Sequence, residues 1–214
     1  MHHKSLYTMR IAIIGTGNVG SALAKKWSAA GHDIHLGVRD IASFDQPEIS
    51  KLPNVQVQTV QEAVKDSDVI LLATPAPAAA DVASSLGDTN GKVIIDAMNI
   101  VKGNGPEGFN NTSDAILAHT RTRDVVKCFN TTGFDNMLEP VYGDTALDMW
   151  MAGDSVIGKD IARQLALDAG FANCYDAGGN DAFYLMEQFA NFWIHLAIFR
   201  KEGRQIGFKL LRRQ

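Results

Sequence analysis

The stretch Met9-Arg-Ile-Ala-Ile-Ile-Gly-Thr-Gly-Asn-Val-Gly20 decides the fold. Its apolar, β-prone run over residues 9–14 breaks into Gly15-x-Gly17-x-x-Gly20, and a helix-forming stretch follows at once. This is the layout of a strand feeding a helix N-terminus through a turn free of side chains. The first N–H groups of a helix lack an intrahelical acceptor, and the helix dipole favours an anion there. A pyrophosphate can therefore lie against the backbone of Gly15, Thr16, Gly17, Asn18, Val19 and Gly20. Three glycines alone are a weak signal. The strand before them, the helix after them and a second strand starting at Asp33 turn the pattern into a dinucleotide site; with no ligand it is a glycine-rich βα turn.

Strands and helices alternate outward from this unit. The helix over Asn18–Ala30 sets Leu23 and Trp27 one turn apart on a core face, with Val19 on the same side, and Gly31-His32 stops it. Strand two covers Asp33–Val38, and a polar, proline-containing stretch leads to a short strand over Val55–Val60 and a helical turn or two over Gln61–Lys65. Asp68-Val-Ile-Leu-Leu-Ala-Thr74 is nearly all apolar, as a parallel strand covered on both faces should be. Pro75 and Pro77 end it and open an alanine-rich helix to about Leu86. Further strands are read over Gly91–Asp96 and Val125–Phe129, with a helix near Ser113–Thr120 between them. The pattern predicts an α/β fold of the Rossmann type, a doubly wound parallel sheet with its ligand edge at the strand C-termini. Residues 9–147 form that unit. Residues 148–214 form a small C-terminal α/β portion with strands over 148–152 and 171–175, a helix over 155–169, a loop at 176–179 and a long helix from Asn180 to about Glu202. Residues 1–8 are a lead-in.

The whole chain bounds what else is possible. It has 214 residues and a net charge of −4, with no strongly basic patch near the N-terminus, so nucleic acid is excluded as the main partner. A basic cluster at Arg200, Lys201, Arg204, Lys209, Arg212 and Arg213 reads as helix-end and tail solvation. The two cysteines, Cys128 and Cys174, have no framework spacing, which fits a reducing cytoplasm. The N-terminal residues lack the apolar core of a signal peptide, and the apolar segment Phe189–Phe199 is about half the length needed to span a bilayer, so no membrane segment is expected.

The choice of dinucleotide turns on the end of strand two. An NAD site places Asp or Glu there for the ribose hydroxyls. Here the sequence is Leu36-Gly37-Val38-Arg39-Asp40, and the first charged group beyond the strand is Arg39. A guanidinium suits a 2′-phosphate that a carboxylate would repel, so Val38 and Arg39 point to NADP(H). Asp40 either takes the ribose position, which favours NAD, or caps the next turn or pairs with Arg39. Thr74-Pro75 should lie beneath the nicotinamide half, with Thr74 either touching the cofactor or capping the helix that follows.

Four segments carry a family resemblance: Gly15-Thr-Gly-Asn-Val-Gly20, Leu36-Gly-Val-Arg39, Ala73-Thr-Pro75 and Gln205-Ile-Gly-Phe-Lys-Leu210. Over about Met9–Leu210 the chain resembles the NADP oxidoreductases dependent on coenzyme F-420, and the reductase domain of the STEAP metalloreductases is similar in plan. The resemblance implies that Gly37-Val38-Arg39 matches the family's Gly-Ser-Arg grip on the 2′-phosphate, with the arginine kept and the serine hydroxyl missing. It also implies a nicotinamide and a deazaflavin along the loops after strands four to six. The matching positions are Thr74-Pro75, Met98-Asn99 for the cofactor, and Asn130-Thr131-Thr132-Gly133 for the acceptor. Some members carry a histidine at the position of Asn130.

The implied reaction is hydride transfer between NADPH and a small-molecule redox acceptor, F-420 or a flavin such as FMN. It needs no protein nucleophile, and no catalytic residue or metal site is assigned: the chain has no serine-histidine-aspartate order with an elbow, no HExxH and no cysteine–histidine cluster. Competing readings are a flavin or ferric reductase, and a non-enzymatic NADP(H) sensor. His195, in an apolar helical stretch, reads as a packed core or interface group, and His32 and His35 as surface groups. Gly178-Gly179 reads as a helix-entry turn or a close approach to substrate. The last helix is apolar on more than one face, with Phe183, Leu185, Met186, Phe189, Phe192, Trp193, Leu196 and Phe199. Such a helix packs either on its own C-terminal portion or on a second copy, giving a homodimer.

Overall fold

The computed structural model describes residues 7–213, so most of the expected lead-in, residues 1–6, lies outside the described residues. Strand β1 (Arg10–Ile14) serves both faces of the central sheet. Ile11 and Ile13 join one buried cluster with Leu23 and Trp27 of helix α1 (Asn18–Ala30), while Ala12 and Ile14 join a second cluster. With helices over both faces, no position of the strand interior is left for a polar residue, which explains the unbroken apolar run. Trp27 is fully buried, donates its indole N–H to the Leu165 carbonyl at 3.0 Å and meets Phe129 edge-on at 5.4 Å.

The chain continues through β2 (Asp33–Val38), α2 (Pro47–Ser50), β3 (Val55–Thr59), α3 (Val60–Lys65), β4 (Val69–Leu72), a 3-10 turn into α4 (Ala79–Ser85), β5 (Val93–Asp96), α5 (Thr112–His119) and β6 (Val125–Cys128). These strands pair in parallel in the order β3-β2-β1-β4-β5-β6. This is the doubly wound order, and its reversal lies between β1 and β4. Helix α6 (Phe134–Leu138) and a small hairpin, β7 (Val141–Tyr142) with β8 (Thr145–Ala146), follow. Strand β9 (Asp148–Ala152) then adds antiparallel to β6, and after α7 (Val156–Ala169) strand β10 (Asn173–Asp176) adds parallel to β9. The C-terminal strands thus extend the same eight-stranded sheet. Helices α1 and α7 cover one face; α3, α4 and α5 cover the other. Among the described residues no helix is long and apolar enough to cross a membrane.

The elements stand close to their sequence-based positions, with informative departures. The polar stretch after β2 contains α2, one turn that buries Ile49. The last helix divides into a 3-10 turn, α8 (Phe183–Ile194) and a π-turn over His195–Phe199, and ends earlier than expected. His195 is exposed in that π-turn, so it is not a core group. His32 and His35 are buried, against the surface reading. His32 Nδ1 accepts the Met9 N–H at 3.1 Å, which places the ring proton on Nε2, 3.0 Å from the buried Asp168 carboxylate. A distant partner satisfies the ring, and burial follows.

The C-terminal basic residues also do more than solvate a tail. Arg204 pairs with Asp135 and lies over the Phe134 ring, and Lys209 reaches Asp148 at 3.2 Å and the Ala146 carbonyl at 2.8 Å. Leu210 N–H donates to Asp148, and Phe208 stacks on Phe189. The Gln205–Leu210 segment is thereby held against β9, α6 and α8.

Candidate functional site

Parallel pairing brings the C-terminal ends of β1, β2, β4, β5 and β6 to one edge, and the glycine turn sits at its reversal point. Gly15 has φ +102°, and an added Cβ would lie 2.6 Å from the Ala73 carbonyl group, so only glycine lets β1 and β4 exit side by side here. A Cβ on Gly20 would fall 1.9 Å from the Gly15 carbonyl oxygen, which fixes how closely α1 approaches the turn. Gly17 is different: a Cβ there meets nothing within 4 Å. Two of the glycines are therefore required by the fold, and the third opens onto free space. No side chain caps α1, and its first turn carries no acidic residue. The N–H groups of Asn18, Val19 and Gly20 thus face a space with the chemistry of a phosphate cradle. Thr16 holds the turn in shape by accepting the Ser21 hydroxyl at its carbonyl, 2.9 Å away.

Val38 is buried at the end of β2, and Arg39, the next residue, is exposed and makes no hydrogen bond or ion pair among the described residues. Asp40 caps the following turn: its carboxylate accepts the Ala42 N–H at 3.0 Å. Contact with the Ser43 hydroxyl, with help from that N–H, holds the carboxyl below the usual carboxylate range. Of the alternatives open for Asp40, the structure shows the turn cap. The charge left exposed and without a hydrogen-bond or ion-pair partner among the described residues is the Arg39 guanidinium.

Across the reversal point, Thr74 does not cap the helix that follows; its hydroxyl points to the Met98 sulfur at 3.3 Å, and Pro75 is exposed. Asn99 and Asn130 come together. Asn99 Nδ2 donates to the Asn130 carbonyl at 2.8 Å, and Asn130 Nδ2 donates to Asn99 Oδ1 at 3.0 Å. Asn130 Nδ2 also reaches the Met186 carbonyl of α8 at 3.1 Å, while its Oδ1 is buried without a hydrogen bond. Thr131 is buried, with its hydroxyl 3.7 Å from the Met149 sulfur. Thr132 accepts from Asn136 Nδ2 at 2.7 Å, and the same amide holds the Ile206 carbonyl of the terminal segment. The residues read as cofactor- and acceptor-binding thus follow one another along the strand ends, although Val38, Asn130 and Thr131 are buried beneath the surface there. Gly178-Gly179 lies apart, in the turn that enters the last helix, where Gly179 packs against Asp154.

Beneath this edge is a polar cluster that the sequence reading missed. Lys127 is fully buried in β6, and its ammonium lies 2.9 Å from Asp96 Oδ2 and 2.9 Å from Glu187 Oε1. Thr112 and Ser113 each donate a hydroxyl to Asp96 at 2.6 Å. The signal was present: a lysine inside Val125-Val-Lys-Cys128, an aspartate closing an apolar strand and a glutamate in an apolar helix. Charged groups are almost never buried unless paired, so three in apolar runs point to one another. A cavity of about 560 Å³ opens beside the cluster between α8 and the loop after β5, lined by Ile100, Lys102, Phe109, Tyr184, Gln188 and Asn191.

Among the described residues no cysteine is exposed at this edge. Cys128 and Cys174 are buried with their sulfurs 3.9 Å apart, and burial, with the neighbouring thiol, pushes the Cys128 pKa well above its ordinary value. A thiol so placed stays protonated and inert. Among the described residues no group of three or more His, Cys, Asp or Glu is arranged to hold a metal ion.

Comparison with known proteins bears on the fold and on the kin of this chain. A family profile described as NADP oxidoreductase, coenzyme F420-dependent, matches residues 10–100, from β1 to the loop after β5. An F420-dependent NADP reductase of Methanothermobacter marburgensis is 26% identical over 221 aligned positions, covering 94% of this chain and 98% of its own length. Its counterpart in Methanothermobacter thermautotrophicus is also 26% identical, covering 94% of each chain. A crystal structure from Arthrobacter sp. FB24, of a candidate F420-dependent NADP reductase, superposes with a TM-score of 0.81 at 22% identity. It covers 95% of this chain and 100% of the other, which establishes a shared fold.

Proposed function

We propose, from the family that these matches support, the NADP oxidoreductases dependent on coenzyme F-420, that this chain is an NADP(H)-dependent enzyme moving a hydride between NADPH and F-420. The observation that carries the reading is the pairing of an open, uncapped glycine turn with an unengaged Arg39 at the end of the adjacent strand. The turn fits a pyrophosphate, and the guanidinium fits the 2′-phosphate that separates NADP from NAD. Val38 stands where the family has a serine, so the 2′-phosphate grip falls to Arg39.

Bound NADPH supplies the hydride. What remains for the chain is to hold the dinucleotide along the β1–β4 reversal, to present its ring beside Asn99 and Asn130, and to hold the acceptor ring face to face with it. Reacting atoms about 3–3.5 Å apart suffice, and no protein acid or base is required. Asn99, held from beneath by the buried Asn130, would form one wall of that space.

A homodimer through the C-terminal helix belongs to the same reading. Tyr184, Leu185 and Phe192 of α8, with Phe199 beyond it, are each about half exposed, more apolar surface than one helix of a monomer usually leaves in water. Free, buried thiols fit the cytoplasm as its compartment. The test is NADPH consumption by the purified chain with F-420, with FMN and with a ferric chelate as separate acceptors. Turnover with F-420 in preference to the others supports the proposal. Turnover with FMN or the chelate alone replaces F-420 as acceptor, and binding of NADPH without turnover by any acceptor makes the chain a sensor.

A further inference from the structure

Glu187 has no part in binding the dinucleotide's phosphates, yet it is 1% exposed and bonded to three elements. Its Oε2 accepts the Ile100 N–H at 2.6 Å, its Oε1 the Thr112 N–H at 3.3 Å, and Lys127 lies 2.9 Å away. We propose that Glu187, with Lys127, is a positioning residue for hydride transfer: it ties α8 to the loop after β5 and holds Asn99 where the acceptor ring must meet the cofactor. This rests on the reading above.

The backbone around Asn99 is gripped on both sides. Met98 donates its N–H to Asp96 at 2.9 Å, and its carbonyl accepts from Lys127 at 3.0 Å. Ile100 donates its N–H to Glu187, and its carbonyl accepts from Asn191 Nδ2 at 3.0 Å. Both peptide neighbours of residue 99 are thus fixed by charged or amide groups. Two of those groups, Glu187 and Asn191, are one helical turn apart on α8. The residue before Glu187, Met186, accepts from Asn130, so the same helix turn also reaches the loop after β6. A buried ion cluster of this kind is weak support for stability, because a well-packed apolar set of equal volume often serves the fold as well. An apolar set has no means of orienting the peptides at 98–100, and that orientation is what ring-to-ring transfer requires.

The phosphate end rests on β1, α1 and Arg39, none of which shares a hydrogen bond or ion pair with the cluster among the described residues. NADPH affinity, carried mainly by the phosphate end, should therefore change little when Glu187 is altered, while the transfer step, which depends on the placement of Asn99, should slow. In Glu187→Gln, which keeps the shape and removes the charge, kcat with F-420 should fall by about 10- to 100-fold. Kd for NADPH, from fluorescence titration without acceptor, should stay within about twofold of wild type. Hydrogen exchange at the Ile100 amide should accelerate by about tenfold or more. Asn191→Ala, which leaves no buried charge behind, should give a smaller fall in kcat with the same NADPH Kd. Unchanged kcat in both variants, or a loss of NADPH affinity that accounts for the whole effect, overturns the proposal. Should Glu187→Gln fail to fold, Asn191→Ala decides: unchanged kcat together with unchanged Ile100 exchange overturns it. If wild type passes no hydride to F-420, the functional reading fails separately. The exchange measurement then still judges the clamp, and an Ile100 amide equally protected in Glu187→Gln refutes it.

Discussion

Gly17→Val separates the ligand from the fold more cleanly than any other single change. Residue 17 has φ −72° and ψ −164°, extended backbone open to any residue, and an added Cβ meets no atom within 4 Å. The folded chain therefore accepts the valine. It is a poorer helix cap than glycine, at a cost of about 1 kcal/mol at most, or about 2–4 °C in Tm for a chain of this size. The free space it fills is the space assigned to the pyrophosphate. Keeping the phosphates off the backbone forfeits at least two charge-assisted hydrogen bonds of about 1.5–3 kcal/mol each, so NADPH affinity should fall more than about 100-fold. Gly20→Ala supplies the contrast: its Cβ would sit 1.9 Å from a backbone oxygen, so it damages folding itself. The assay pairs thermal melts with NADPH titration. A Gly17→Val protein that melts like wild type and binds NADPH within about threefold would show that the phosphates do not cross this turn.

Other residues carry independent tests. Arg39→Ala should weaken NADPH by about 1.5–3 kcal/mol while leaving NADH within about twofold; equal losses for both, by titration, would remove the NADP assignment. His32→Ala deprives Asp168 of the ring N–H and Met9 of its acceptor, and should cost at least about 2 kcal/mol in urea unfolding; a loss under about 0.5 kcal/mol would mean that the buried pair does not hold α7 to the start of the sheet. Arg10 holds the Asp68 carboxyl below its usual range through a hydrogen bond at 2.7 Å. The folded pKa is the lower one, so the stability it gives is present above the unfolded value of about 3.9 and is lost as pH falls through the folded value. The pair is exposed and screened by solvent, so Arg10→Met should lower stability only slightly near neutral pH and narrow its gap from wild type in acid; a gap that widens in acid would contradict the sign.

Much of the fold, and the geometry of the glycine turn proposed to take the phosphates, could be read directly from the chain, because both rest on local order. Ile11–Ile14 is apolar on both faces, the glycines follow at fixed spacing, and Arg39 comes one residue after a strand. Features that depend on a partner far along the chain were not legible. His32 reads as a surface group until Asp168 meets it across 136 positions. The basic tail reads as solvated until Asp135 and Asp148 take up Arg204 and Lys209. Helix α2 is a single turn whose existence depends on burying Ile49, too short for any periodicity to show. The cluster around Lys127 stands between these cases: each member was visibly out of place in an apolar run, but only the sheet order puts β5, β6 and α8 in contact.

The most direct test of the central claim is anaerobic mixing of the purified chain with NADPH and oxidised F-420, following both chromophores. We expect NADPH to be consumed mole for mole as F-420 is reduced, with NADH a poor substitute. Tight NADPH binding without any reduction of F-420, or equal rates from NADH, would contradict the account.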